Sequence, residues 1–233
     1  MLFIGITGGV GAGKTAILSY MKEHYRCRVM LADEIAHEQM RPGSVCYDRL
    51  RILLKKEDVW QSDGQFDRKR LAAVLFSDDR KREALNGIVH PAVRAYAIEQ
   101  FEAEKERGDL DFLVLEAALL IEEKYDAICD ELWYIYTLEE NRRNRLRQNR
   151  GYTDEKIDGI FASQLSEEIF RAHCAEVIDN NGVPEDAFRQ IDAILRRKYG
   201  IMQHSERQQR ELRLCGDRAL PSADRCGNQR KTD

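Results

Sequence analysis

The sequence predicts an α/β protein built on a parallel sheet of five strands, with helices on both faces. Five short runs of apolar residues are spread along the 233 residues, and segments with helical periodicity separate them. The first two runs are joined by one such helical segment, which is the crossover connection that parallel strands require. Because ligands of these sheets bind at the carboxyl ends of the strands, we expect the site residues there.

The predicted strands end at residues that carry chemistry. The apolar runs cover residues 2–7, 27–31, 112–115, 132–136 and 176–178. They lead into a glycine-rich turn at 8–13, Asp33, Glu116, Thr137 and a turn at 179–182. Pro184 then opens an amphipathic last helix, a position that suits proline because the first-turn N–H has no helical partner.

Two insertions lengthen the core. The stretch after Asp33 predicts several helices with weak strand character, and Pro91 within it predicts the first turn of a helix. The stretch after the fourth strand is rich in arginine, and the C-terminal stretch is polar without periodicity, which predicts disorder. The expected organisation is a folded domain of residues 1–202, with core segments 1–33, 109–138 and 174–200, a helical insertion 34–108, a lid 139–173 and a tail 203–233.

The composition disfavours several classes of protein. The formal net charge of −4 argues against nucleic acid as a partner, because binding to the phosphate backbone usually needs a basic domain. No run approaches the roughly 18 apolar residues of a membrane-spanning helix, so no membrane partner is expected. The six cysteines are too scattered for a disulfide framework or a zinc site. The expected location is therefore the cytoplasm.

A glycine-rich segment follows the first strand directly. Residues 8–15 read GGVGAGKT and match the pattern GxxxxGK followed by Ser or Thr at every fixed position. Glycines let such a loop turn tightly, so that its amides and the helix N-terminus face a phosphate chain. Lys14 would supply a charge to the β- and γ-phosphates, and Thr15 a hydroxyl to Mg²⁺. The segment predicts binding of a nucleoside triphosphate.

The rest of the sequence narrows this class. The chain lacks the Asn-Lys-x-Asp motif expected of a GTPase, and it is shorter than a large ATPase motor. A small-molecule kinase remains, in which an insertion binds the phosphate acceptor and an arginine-rich lid closes over the transferred group.

Two acids and one histidine are candidates for the chemistry of such a kinase. Asp33 could act as general base or anchor a Mg²⁺-bound water, and the alternative is an N-cap of the helix that follows. Glu116 ends the third strand as a Walker B acid would, and the alternative is a solvated strand-end acid. His90 could be a ligand to substrate or a packing residue, and the sequence leaves both open.

Five arginines lie close together at the start of the predicted lid: Arg142, Arg143, Arg145, Arg147 and Arg150. Guanidinium groups suit the spread charge of a phosphoryl transition state. A run of charges is also typical of a solvated helix face. We therefore expect at least one of the five to contact phosphate, without naming it from charge alone.

Several motifs are spread along the chain: residues 5–15 (GITGGVGAGKT), 32–37 (ADEIAH), 41–43 (RPG), 85–91 (LNGIVHP), 119–122 (LLIE), Gln164 and 177–182 (VIDNNG). With these motifs in this order, the sequence from about residue 2 to 200 resembles the dephospho-CoA kinase family. The phosphate loop alone is shared by many families. Its combination with Ala-Asp, His-Pro and Val-Ile-Asp-Asn-x-Gly is specific to this one.

The resemblance implies a three-layer P-loop nucleoside-triphosphate hydrolase/kinase fold and ATP-dependent phosphorylation of the ribose 3′-hydroxyl of dephospho-CoA, the last step of coenzyme A biosynthesis. It implies ATP contacts at Gly11, Ala12, Gly13, Lys14, Thr15 and Ala16, with Mg²⁺ at Thr15. It also implies catalysis by Asp33, Lys14 and Arg145, and acceptor contacts at Asp33, His90, Glu116 and Leu120. The implied partners are the small-molecule substrates, and the chain is expected to be a monomer or a weak homo-oligomer.

The chain departs from the family pattern at four places in or near the expected site. Leu31, Ala118, Asn149 and Phe170 stand where the family usually has aspartate, proline, arginine and lysine. Two alternatives therefore stay open beside the resemblance. One is a kinase for another small acceptor, such as a nucleoside monophosphate. The other is a nucleotide-binding module that has lost catalysis.

Overall fold

Five parallel strands form the sheet that the apolar runs predict. The computed structural model describes residues 1–209. The strands are β1 (Leu2–Thr7), β2 (Cys27–Leu31), β3 (Phe112–Glu116), β4 (Glu131–Tyr136) and β5 (Glu176–Asp179). Their order across the sheet is β2-β3-β1-β4-β5, and every neighbouring pair is parallel. The predicted α/β fold with a five-stranded parallel sheet is confirmed.

The strands are largely apolar because helices cover both faces of the sheet. Alternate side chains of a strand point to opposite faces, and β1 accordingly divides its residues between two cores. Phe3 joins Leu113 and Leu115 in a core beneath the helical insertion, whereas Ile4 and Ile6 join a core beneath the first and last helices. The central strand β1 is thereby buried on both sides, and the loop that follows it starts from a rigid base.

The first and last helices lie side by side on one face. Helix α1 (Lys14–His24) follows the glycine loop, and its buried residues Ile17, Leu18 and Met21 recur at helical spacing. The last helix, α9 (Pro184–Tyr199), begins at the proline that predicted it. It ends at Gly200, whose φ of 66° is a left-handed conformation that suits glycine.

Four helices lie between β2 and β3: α2 (Ala32–Gln39), α3 (Val45–Leu53), α4 (Arg68–Ser77) and α5 (Asp79–Arg107). The predicted weak strand character corresponds to one isolated bridge between Trp60 and Phe66. The prediction that Pro91 starts a helix is wrong, because Pro91 lies inside the 29-residue α5. Buried residues on both sides of it, such as Val89 and Val93, fix the helix against the core and offset the lost hydrogen bond.

Three helices lie between β4 and β5, in the segment predicted to be a lid. They are α6 (Glu139–Arg150), α7 (Asp154–Ala162) and α8 (Glu167–His173). Helix α6 buries only Leu146 among its residues, and α8 buries Phe170. So few buried apolar side chains leave the attachment of this segment to depend largely on polar contacts, which are described below.

The start of the predicted tail differs from expectation. Residues 204–209 are helical, and the Gln203 amide donates to the Tyr20 hydroxyl (2.7 Å) and to Asp192 (2.9 Å). The Arg207 guanidinium donates to Asp111 at 2.6 Å. Residues 203–209 therefore contact the folded domain, whereas the sequence predicts disorder from residue 203 onward. Polar contacts of this kind leave no apolar periodicity in the sequence, so the sequence did not indicate them. The rest of the predicted tail, 210–233, lies outside the described residues.

Two expectations from composition concern membranes and cysteines. Within residues 1–209, every helix is too short or too polar to cross a bilayer. Four cysteines fall in this range, namely Cys27, Cys46, Cys129 and Cys174, and all four are free thiols. Burial raises the pKa of Cys27, Cys129 and Cys174 to about 12, which leaves these thiols protonated at neutral pH.

Candidate active site

A cavity of about 560 Å³ opens at the carboxyl end of the sheet, where the glycine loop meets α1. Its walls come from the loop, α1, the junction of β2 with α2, the end of β3, and α6. The residues that line it are Val10, Gly11, Ala12, Gly13, Lys14, Thr15, Leu18, Ser19, Lys22, Leu31, Asp33, Glu116, Ala118, Arg145, Leu146, Asn149 and Arg150. Most predicted site residues are thus brought together in one cavity.

The loop needs glycine at two positions for reasons of conformation and space. Gly11 and Gly13 have φ of 85° and 88°, a left-handed conformation that other residues rarely adopt. A Cβ on Gly13 would lie 2.5 Å from Nδ2 of Asn180, and one on Gly11 would lie 3.0 Å from the carbonyl oxygen of Arg142. The loop is therefore packed closely against α6 and the end of β5.

Lys14 is held by acceptors of the protein itself. Its Nζ donates to the carbonyl oxygen of Gly8 at 2.7 Å and lies 3.4 Å from Oε1 of Glu116. Burial lowers the pKa of Lys14, and the attraction of Glu116 opposes that shift. Burial likewise raises the pKa of Glu116, and the attraction of Lys14 opposes it. The lysine and the Walker B-like acid are partners at the cavity wall.

Asp33 lines both the cavity at the glycine loop and a second cavity. Helix α2 begins at Ala32, directly after β2, so its N-cap is Leu31 and the alternative of Asp33 as an N-cap is wrong. Asp33 instead lies in the first turn, where the helix dipole favours a negative charge. Its side chain is exposed and lines both cavities.

The second cavity has a volume of about 180 Å³ and lies between α2, α5 and the stretch after β3. Its walls are mostly small and apolar, with Ala36, Val93 and Ala117 among them. His90 also lines it, and Nδ1 of His90 lies 2.7 Å from Oε1 of Glu123. His90 and Asp33 thus line the same second cavity.

Two residues implied by the resemblance are placed differently from expectation. Leu120 is fully buried in the core, whereas its neighbour Leu119 lines the second cavity. Ala16 is not among the residues that line the first cavity, and its amide donates to the carbonyl oxygen of Gly13 at 3.2 Å. Both differences arise because a motif gives the position along the chain but not the direction of each group.

The five arginines of α6 divide into three groups. Arg145 and Arg150 line the first cavity. Arg143 and Arg147 pair with acids of the same segment, both at Asp154. Arg142 contacts the phosphate loop. The sequence could not separate them, because which face of α6 meets the loop depends on packing.

Arg142 and Arg145 connect the predicted lid to the loop. Nε of Arg142 donates to the carbonyl oxygen of Val10 at 3.0 Å, and its guanidinium also binds the side-chain oxygen of Gln164. The same guanidinium lies 4.3 Å from the ring centre of Phe161. Arg145 donates to the carbonyl oxygens of Ala12 at 3.2 Å and Asn180 at 2.8 Å. Both guanidinium groups thus donate to backbone carbonyls of or near the loop.

The four departures from the family pattern have clear positions. Leu31, Ala118 and Asn149 line the first cavity. Phe170 is buried, and its ring stacks on that of Tyr134 at 4.6 Å. The aromatic side chain at 170 therefore has a structural role in fixing α8 on the sheet.

Sequence reasoning missed several residues around the loop. Leu18, Ser19 and Lys22 follow Thr15 along α1 and line the cavity at helical spacing. That spacing is a signal in the sequence that could have indicated them. Thr137 and Asn180, in contrast, lie at strand ends that the sequence did indicate, directly after β4 and β5; both are buried, and both contact the loop.

A glycine loop after the central strand, a helical insertion beside it and an arginine-bearing segment above it define a P-loop kinase. The family model described as dephospho-CoA kinase matches residues 2–186. The chain therefore belongs to the dephospho-CoA kinase family.

Individual relatives agree with this assignment. The chain is 34% identical over 188 residues to a dephospho-CoA kinase of Shouchella clausii. The aligned residues cover 81% of this chain and 94% of that protein. It is 28% identical over 200 residues to a dephospho-CoA kinase of Saccharomyces cerevisiae, covering 84% of this chain and 83% of that protein.

Two solved structures share the fold. TT1252 from Thermus thermophilus is similar with a TM-score of 0.70 and 27% identity, over 84% of this chain and 97% of that one. A dephospho-CoA kinase from Campylobacter jejuni has a TM-score of 0.61 at 17% identity, over 82% of this chain and 96% of that one. The second likeness supports the fold alone.

Proposed function

We propose that Asp33, Lys14 and Arg145 carry out the activity of this family, the ATP-dependent phosphorylation of the ribose 3′-hydroxyl of dephospho-CoA. The observation that carries the proposal is the position of Asp33, whose side chain lines both the phosphate loop cavity and the cavity beside His90. A phosphoryl transfer needs its acceptor oxygen between donor phosphate and an orienting carboxylate. Asp33 is located where such an oxygen would enter.

The phosphate loop would hold the ATP phosphates through amides and one lysine. Lys14 would exchange the Gly8 carbonyl and Glu116 for the β- and γ-phosphate oxygens. Arg145 and Arg150 line the same cavity and would stabilise the charge that spreads over the transferred group. In that arrangement Asp33 would orient the 3′-hydroxyl for in-line attack and accept its proton.

Mg²⁺ fits the donor set at this site. The Thr15 hydroxyl, Glu116 and Asp33 are oxygen donors that line one cavity, and such donors are what Mg²⁺ prefers. Among the described residues, no three metal-binding side chains form a ready-made cluster. We therefore expect the ion to enter with ATP, with Thr15 and the phosphates as ligands and Glu116 through water. When bound, Mg²⁺ would neutralise phosphate charge.

The acceptor would occupy the cavity beside His90 and a groove along α2. The cavity of about 180 Å³ offers apolar walls for the base and ribose. The groove, of about 230 Å³, lies between α2 and α4 and contains His37, Arg41 and Arg68. At 1.5 Å per residue, His37 lies about 6 Å from Asp33 along α2, and Arg41 follows the end of that helix. Those positions suit a 5′-diphosphate and the arm attached to it.

An acceptor panel tests the proposal. The protein is incubated with Mg²⁺, ATP and one of dephospho-CoA, adenosine monophosphate, shikimate or CoA, whose 3′-hydroxyl is already phosphorylated. We expect ADP release only with dephospho-CoA, and phosphorus NMR of the product should show a 3′-monoester. Preference for an acceptor without the pantetheine arm would favour a different small-molecule kinase. ATP binding without transfer to any acceptor would favour a module without catalysis.

A further inference from the structure

The carbonyl group of Ala12 is held by three donors from outside the phosphate loop. Nδ2 of Asn180 donates to it at 2.7 Å, Oγ1 of Thr137 at 3.0 Å and the Arg145 guanidinium at 3.2 Å. Ala12 is itself buried, with 1% of its surface exposed. A carbonyl oxygen has two lone pairs, so three donors saturate it and leave its direction little freedom.

The two neutral donors are unusual residues in this fold. Within the described range, only four polar side chains are classed as buried: Thr7, Glu104, Thr137 and Asn180. Two of the four thus converge on one carbonyl. They are brought there by the sheet, because Tyr136 and Asp179 are paired at the ends of β4 and β5 and each donor is the next residue. The backbone amide of Asn180 also donates to the Tyr136 carbonyl at 2.8 Å.

The direction of this carbonyl fixes the direction of the next amide. In a planar trans peptide the C=O and the following N–H point in opposite directions. With the Ala12 oxygen directed at Thr137 and Asn180, the Gly13 N–H is directed away from them. None of the hydrogen bonds found within residues 1–209 uses the Gly13 amide as donor. This amide is therefore available to an anion at the N-terminus of α1.

We propose that Thr137 and Asn180 are positioning residues for ATP: they hold the Ala12 carbonyl away from the nucleotide so that the Gly13 amide faces a phosphate. Without them the peptide could rotate and direct a carbonyl oxygen at the phosphates, which would repel them. The proposal rests on ATP as phosphate donor, and it concerns affinity for ATP rather than recognition of the acceptor.

A matched pair of substitutions separates positioning from packing. Thr137→Val keeps the shape of the side chain and loses the donor, whereas Thr137→Ser keeps the donor and loses a methyl group. We expect the dissociation constant for ATP, measured by calorimetry, to rise about tenfold in Thr137→Val and to stay within twofold in Thr137→Ser. The KM for dephospho-CoA should stay within twofold in both. The reverse order, with Ser impaired and Val normal, would overturn the proposal.

Asn180→Leu provides a second variant of nearly unchanged size. A leucine side chain adds no charge and cannot donate to the Ala12 carbonyl, so we expect ATP binding to weaken about tenfold or more. If Thr137→Val does not fold, calorimetric titration of this second variant with ATP tests the proposal. An ATP affinity equal to that of the wild type would refute it. Wild-type protein that binds ATP but phosphorylates no acceptor would instead contradict the proposed function and leave these titrations interpretable.

Discussion

Replacing Asp33 by asparagine tests the acceptor side of the mechanism with little change of shape. Within residues 1–209 the Asp33 carboxylate has no hydrogen bond or ion pair, so the loss to stability is limited to its interaction with the α2 dipole. That interaction is worth at most about 1 kcal/mol at an exposed position. The melting temperature should therefore fall by no more than about 4 °C.

The rate should change far more than the stability. A positioned acid–base group contributes about 10²- to 10⁴-fold, which corresponds to about 2.7–5.4 kcal/mol of activation free energy. ATP binding should be unchanged or slightly tighter, because the Asp33 charge already acts on Lys14 and would repel phosphate. Two unit charges about 10 Å apart in water interact by about 0.4 kcal/mol, which limits the gain to about twofold.

Single-turnover kinetics measure the rate, and calorimetric titration measures ATP affinity in the same preparation. Glu34→Gln is the matched control, since it removes the same charge from the adjacent exposed residue, which lines neither cavity. We expect its turnover within twofold of wild type. A turnover of Asp33→Asn within threefold of wild type would refute the assignment. Tenfold weaker ATP binding would also refute it, because Asp33 would then serve the nucleotide.

Three further predictions concern the lid, the metal and the C-terminal segment. Arg145→Gln should lower kcat about 100-fold, whereas Arg147→Gln should leave it unchanged because that side chain pairs with an acid of its own segment. Glu116→Gln should raise the Mg²⁺ concentration for half-maximal rate several-fold, and an unchanged requirement would contradict the proposed contact. A chain ending at Met202 should melt about 4–8 °C below one ending at Gln209, since it loses about 2 kcal/mol of polar contacts, and equal melting temperatures would contradict this.

The central strands of the sheet could be predicted from the sequence because they are buried on both faces. Each strand is a short, nearly continuous apolar run, and a run of this kind is visible without any partner. The interior position of Pro91 could not be predicted. A local rule assigns proline to a first turn, whereas α5 is held on both sides of Pro91 by buried residues from another part of the chain. Tertiary packing outweighed the local preference.

In the candidate site, too, some residues could be predicted from the sequence and others could not. Lys14, Thr15 and Asp33 could be named because strand ends and glycines fix where the backbone turns. The roles of the arginines could not, because α6 presents Arg142 and Arg145 to the loop and Arg143 to acids of α7, and only packing decides that rotation. The sequence likewise does not reveal that Leu119, and not the buried Leu120, lines the second cavity.

The cations of the candidate site are paired with acceptors of the protein itself. Lys14 already binds the Gly8 carbonyl and Glu116, while Arg145 binds the Ala12 and Asn180 carbonyls. The free energy of ATP binding is therefore the difference between two sets of contacts, and it is smaller than a count of phosphate contacts suggests. The neutral donors Thr137 and Asn180 need not move, so the loop would keep its shape while the cations exchange partners. This explains how an acidic chain can bind a polyanion through one preformed loop.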